Sequence, residues 1–162
     1  MIFIPHRGGK VIVFTFALAM VLTIAPLPES LHAYRPDWVG LVLIYWCFAL
    51  PERVGVFSGW LAGLLLDVLT SGLLGQHALA LCLVAYLTIK IHQQVRVFPL
   101  WQQALAVLIL LAVHQLVLLW TNSVIGRPGP GLIFWIAPLI GAAIWPLIYS
   151  LLRALRHGFS VR

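Results

Sequence analysis

Apolar residues run along this chain in long blocks, and polar residues collect in the short breaks between them. The first block extends from Val11 to Leu27, behind Arg7 and Lys10. The second, from Trp38 to Leu50, is shorter. A long apolar stretch from Val54 to Ile91 is divided by Gly72, Gly75, Gln76 and His77. A fifth block covers Trp101 to Thr121, and a sixth Gly131 to Leu152. The pattern predicts six helices, over about 11–27, 38–50, 54–74, 76–91, 101–121 and 131–152. A helix crossing the hydrocarbon core of a bilayer needs about 20 apolar residues, within a range of about 17–25. The second block falls short, and by length alone it also fits a re-entrant or interfacial piece.

Basic residues decide between five spans and six. Lys and Arg close to membrane segments collect on the cytoplasmic side. With six spans and a cytoplasmic N-terminus, Arg7, Lys10, Arg53, Lys90, Arg96, Arg153, Arg156 and Arg162 lie inside, and only Arg35 and Arg127 outside. If the second block does not span, the inside keeps only Arg7, Lys10 and Arg127 against seven outside. Charge therefore favours six spans with both termini in the cytoplasm. The short second helix is then helped by Trp38 at the outer interface and by local thinning of the bilayer.

Composition agrees with a membrane protein. Apolar residues, Gly excluded, make up 62% of the 162 positions and charged residues 9%. A soluble domain of this length would have to expose much of that apolar surface to water. The net charge of +6 raises the question of nucleic acid, but the charges fall between apolar blocks and at the ends rather than along a basic stripe. Cys47 and Cys82 lie inside apolar runs and far apart, which fits neither a zinc spacing nor a disulfide framework. A signal-peptide reading of the first block needs cleavage near Leu31-His32-Ala33, and the bulky Leu31 argues against it. The loops are short, so residues 1–162 are expected to form a single transmembrane domain.

Gly55, Gly59, Gly63 and Asp67 recur at intervals of four and share one face of the third helix. Small residues so spaced let another helix approach closely in lipid. The approaching helix is either one of this chain or one of a partner. Asp67 is the only carboxylate deep in an apolar block. It lies about 20 Å from the end of its helix that follows Arg53, at ~1.5 Å per residue. A carboxylate there is costly, faces the protein interior and needs a partner. It serves either as an ion, proton or ligand site, or as a structural carboxyl that hydrogen-bonds a helix start. His114, thirteen residues beyond Trp101, reaches a similar depth, and His77 sits in the neighbouring turn. Both are candidate partners of the carboxylate. No His-Glu-x-x-His, nucleophile elbow or glycine-rich phosphate loop occurs, so no catalytic residue, metal or cofactor is expected. His92 to Leu100 reads as an interfacial cytoplasmic loop, and Pro138, Gly141 and Pro146 predict a kinked sixth helix.

Several of these segments together resemble a known family. They are Arg35-Pro36-Asp37-Trp38, Tyr45-Trp46, Ala49-Leu50-Pro51, Arg53-Val54-Gly55, Gly63-Leu64-Leu65-Leu66-Asp67-Val68, Leu74-Gly75-Gln76-His77-Ala78-Leu79 and Phe98-Pro99-Leu100-Trp101-Gln102-Gln103. With them the chain resembles the bacterial rod shape-determining MreD family, specifically from Arg35 to Gln103 and in composition beyond. The resemblance implies a non-enzymatic protein of the bacterial inner membrane, working in the cell-elongation complex. Its implied partners are the bitopic MreC and, directly or through it, the MreB filament and the glycosyltransferase and transpeptidase of lateral peptidoglycan synthesis. The family is similar in its six-helix plan to the substrate-binding subunits of energy-coupling-factor transporters. A small-molecule-binding membrane subunit therefore stands as the alternative.

Overall fold

A computed structural model describes residues 9–26, 28, 35–51, 54–70, 74–126 and 135–158. Outside the described residues lie Arg7, Arg53, Arg127 and Arg162 of the charge argument, Leu31-His32-Ala33, Gly72 and the expected start of the sixth helix at Gly131. The described chain is all-helical: α1 Gly9–Ile24, α2 Trp38–Ala49, α3 Val56–Leu69, α4 Gln76–Arg96, α5 Leu100–Val124 and α6 Ile136–Gly158. The helices α4, α5 and α6 are long and apolar enough to cross a membrane, whereas α1, α2 and α3 are shorter apolar helices.

The short α2 is the centre of the bundle. Every residue from Val39 to Phe48 is buried, because α1, α4, α5 and α6 all pack on it. A helix that is apolar on every side belongs in such a place, and a run of about 10–14 apolar residues is the length expected of a buried core helix. α2 meets protein rather than open space around most of its circumference. Aromatic rings fill the space about it. Tyr45 lies edge-on to Trp46 and to Tyr149, and Phe48 edge-on to Trp145. The Trp46 indole N–H donates to Thr15 Oγ1 at 3.0 Å, tying α1 to the core.

Both ends of α2 are held by charged side chains. Asp37 is the N-cap, its Oδ1 accepting the Gly40 N–H at 3.1 Å. At the other end Arg96 donates to the Phe48 carbonyl at 2.7 Å. Arg96 reaches it because α4 continues to residue 96, past the point where a loop from His92 was expected. Val95, buried in the core, makes the extra turn favourable. Gln103 then closes the α4–α5 turn, donating to the carbonyls of Val95 and Phe98. In α6, Pro138 falls in the first turn, where a missing N–H costs little, so Pro146 is the proline inside the helix.

The glycine stripe of α3 lies against α4. A Cβ on Gly59 would stand 2.9 Å from the Leu81 carbonyl oxygen and 3.2 Å from Ala85 Cβ, and one on Gly63 would fall on the backbone of Ala78. Gly55 is less constrained, its nearest neighbour being the tip of Ile89 at 3.4 Å. Close backbone approach of this kind supplies the dispersion contacts that hold helices together in an apolar solvent.

Substitution should expose the difference between these glycines. Gly63→Ala, which meets backbone that cannot move aside, is expected to lower stability by about 1–3 kcal/mol. Gly55→Ala is expected to be close to neutral. Reversible unfolding of the purified variants in mixed micelles measures both, and equal effects at the two positions would contradict the packing described.

Candidate buried polar cluster

Asp67 comes near the end of α3 and is 1% exposed. The chain then turns through Gly75, whose φ of +98° is left-handed, a conformation that glycine adopts without a Cβ clash. That turn points the first N–H groups of α4 back at the carboxylate. Oδ2 accepts the Gly75 N–H at 2.8 Å and the Ala78 N–H at 3.4 Å. Oδ1 accepts the His77 N–H at 3.0 Å, and His77 Nδ1 stands 2.7 Å from the same oxygen. The first N–H groups of a helix have no partner within it and carry the positive end of its dipole. A carboxylate from the preceding helix satisfies three of them here. This is an anion site at a helix start, occupied by the chain's own side chain.

His114 stands elsewhere than expected. Its Nδ1 lies 2.9 Å from Asp37 Oδ2, so it pairs with the cap of α2 rather than with Asp67. The two atoms are in ion-pair range without the alignment of a good hydrogen bond, and His114 Nε2 has no hydrogen-bond partner among the described residues. The reason for the displacement is angular. Depth along a helix follows from residue counting, but the direction of a side chain around the axis depends on how the helices pack. The two pairs are still neighbours: the His77 and His114 rings have centroids 6.1 Å apart. Asp67–His77 and His114–Asp37 thus form one buried cluster from α3, the start of α4, α5 and the cap of α2.

Asp37 is the member that sequence reasoning missed. It stands just before the second apolar block, outside the runs in which a buried carboxylate is conspicuous. The signal was present, since an Asp immediately before an apolar helical run is an N-cap pattern. Gly40 belongs to the same device, because a Cβ there would stand 2.5 Å from Asp37 Oδ2. Nearby, Gln76 Nε2 donates to the Leu118 carbonyl at 3.2 Å and to Asn122 Oδ1 at 3.1 Å, joining α4 to α5. Among the described residues no group of three His, Cys, Asp or Glu side chains is placed to hold a metal ion.

An all-helical bundle with a short apolar helix at its heart and its described carboxylates turned onto helix starts is the build of a membrane-embedded protein. Comparison with known proteins gives the family. A family profile described as rod shape-determining protein MreD matches residues 8–155. The rod shape-determining protein MreD of Haemophilus influenzae is 31% identical over 146 residues, 88% of each chain. The chain belongs to the MreD family of rod shape-determining proteins. No solved structure matches it significantly.

The cluster predicts that Asn is a poor replacement at position 67. Asn keeps one acceptor oxygen but turns an NH2 group toward backbone N–H donors. Asp67→Asn is expected to cost about 1–3 kcal/mol of stability. Asp37→Ala removes a cap worth about 0.5–2 kcal/mol and leaves His114 without its buried partner. Chemical denaturation in micelles reads both, and an Asp67→Asn protein as stable as the parent would show that the carboxylate does not hold α4.

Proposed function

We propose that this chain is a non-enzymatic scaffold of the bacterial inner membrane. In this reading it crosses the bilayer six times with both termini in the cytoplasm, and it links MreC and MreB to the enzymes of lateral peptidoglycan synthesis. Family membership carries the rod-shape role. The scaffold character is supported by one observation above the others: the deeply buried carboxylate Asp67 is saturated by the N–H groups of its own α4. A ligand-binding subunit needs convergent polar groups turned toward a cavity. Here Asp67 instead caps a helix, and Gln76 and Asn122 bond each other.

The six-span topology gains support from the charge distribution. Cross-contacts run between Thr15 and Trp46, Phe48 and Arg96, Gln76 and Asn122, and Gln103 and Trp145. Gly59 and Gly63 of α3 also face Leu81 and Ala78 of α4 in reverse order, so successive helices alternate in direction. Lys10, Lys90, Arg96, Arg153 and Arg156 lie toward one end of the bundle, and Arg35 at the other, where it donates to the carbonyls of Thr23 and Ala25. The basic end is the cytoplasmic one in this reading.

Three measurements test it. A reporter fused after His157 is expected to be active only as a cytoplasmic reporter, and periplasmic activity would overturn the topology. The chain is also expected to restore rod shape to cells lacking their own copy and to retain MreC through purification in mild detergent. Asp67→Asn should restore shape to the extent that it accumulates. A folded, MreC-bound Asp67→Asn protein at parental abundance that leaves cells round would sink the scaffold reading in favour of an ion- or ligand-coupled role.

A further inference from the structure

The basic end of the bundle contains a second polar site, unrelated to the Asp67 cluster. A cavity of about 190 Å³ opens there among α2, α4, α5 and α6. The buried Tyr45 and the half-buried Tyr149 contribute to its lining with His157, and Arg96, Arg153 and Arg156 supply its cationic groups. Among the described residues no carboxylate lines it. Arg96 uses one guanidinium nitrogen on the Phe48 and Ala49 carbonyls, which fixes that side chain at the cavity. Three guanidinium groups around one space, without a described acidic partner, call for an anion.

We propose that this cavity binds the phosphodiester headgroup of an anionic phospholipid. Guanidinium groups match phosphate oxygens with forked, charge-assisted hydrogen bonds. Basic pockets between transmembrane helices on the cytoplasmic side hold such headgroups. Position favours a lipid over a soluble anion. Arg153 stands five residues before the end of α6, about 8 Å along the axis at 1.5 Å per residue, and α6 is long enough to cross a membrane. The guanidinium groups therefore sit where headgroups lie. Exposed Val97 and Phe98 follow Arg96 directly, so apolar surface for acyl chains lies beside the basic wall. The headgroup would join α4 to α6 across the cavity. This inference rests on the bilayer placement proposed above, and recovery of the chain in washed membranes tests that placement separately.

The experiment uses the full chain in detergent micelles, titrated with phosphatidylglycerol, cardiolipin, phosphatidylcholine or sodium phosphate. Native mass spectrometry reads binding, and the unfolding temperature reads stabilisation. Phosphatidylglycerol and cardiolipin are expected to bind and stabilise, and phosphatidylcholine to do neither. Arg153→Gln with Arg156→Gln should weaken binding about thirtyfold, the sum of two headgroup-level charges. Arg96 is left intact because it caps α2. The control Lys10→Gln, a charge at the same end on α1, should leave affinity unchanged. Arg153→Lys with Arg156→Lys keeps the charge but loses the fork, and it should bind with intermediate affinity. That pair carries the test if the Gln variant fails to fold. Equal binding of phosphatidylcholine would overturn the proposal. So would full stabilisation by phosphate alone, which indicates a soluble-anion site, or equal losses in Lys10→Gln and the Arg variants.

Discussion

Helix ends have to be satisfied, and in this bundle several of them lie inside it. Each α-helix leaves its first N–H groups and last carbonyls without partners. In water the solvent takes them, but in an apolar medium each unsatisfied group is costly. A helix such as α2, twelve residues long and buried from Val39 to Phe48, brings both of its ends close to the interior. The rest of the fold arranges charged side chains to meet that demand. Asp37 caps the start of α2, and Arg96 arrives from α4 at its end. Asp67 caps the start of α4 from α3, while Arg35 takes carbonyls at the end of α1.

Charge scarcity takes on a meaning in this light. The chain has only four acidic residues, and the two that are described both serve helix starts. Leaving a buried carboxylate or guanidinium without a partner is far more costly than forming the pair is rewarding. These contacts therefore act chiefly as constraints on which packing is permitted. Between the capped ends the helices are held by shape: the Gly59 and Gly63 approach to α4, and the rings of Tyr45, Trp46, Phe48, Trp145 and Tyr149 around α2.

The arrangement fits the scaffold role proposed above. With the small-residue face of α3 closed against α4, it is not free for a partner. The outward surfaces are broad and apolar: Phe57, Trp60 and Leu65 on α3, and Ile109, Leu116 and Trp120 on α5 are exposed. Much of the polar interior is tied to backbone, as at Asp67, Gln76 and Gln103. At the other end, the cavity gathers three guanidinium groups with no carboxylate among its described lining.

Much was legible from the residues alone, because it depends on local or additive quantities. The apolar blocks define six helices, since block length and composition act residue by residue. The start of α4 at Gln76 was equally visible, because Gly75 and the polar turn break the apolar run. The demand of Asp67 for a partner followed from the cost of burying charge. Tertiary structure alone decided which partner. His77 was near in sequence and turned out to be near in space, whereas His114 went to Asp37 because rotation about a helix axis is set by packing. The same holds for α2: its sequence shows a short apolar helix, but only the surrounding helices make it a core. That Arg96 caps it, 48 residues further along the chain, could not be read from either segment. Such contacts depend on the relative placement of whole helices, which no local pattern encodes.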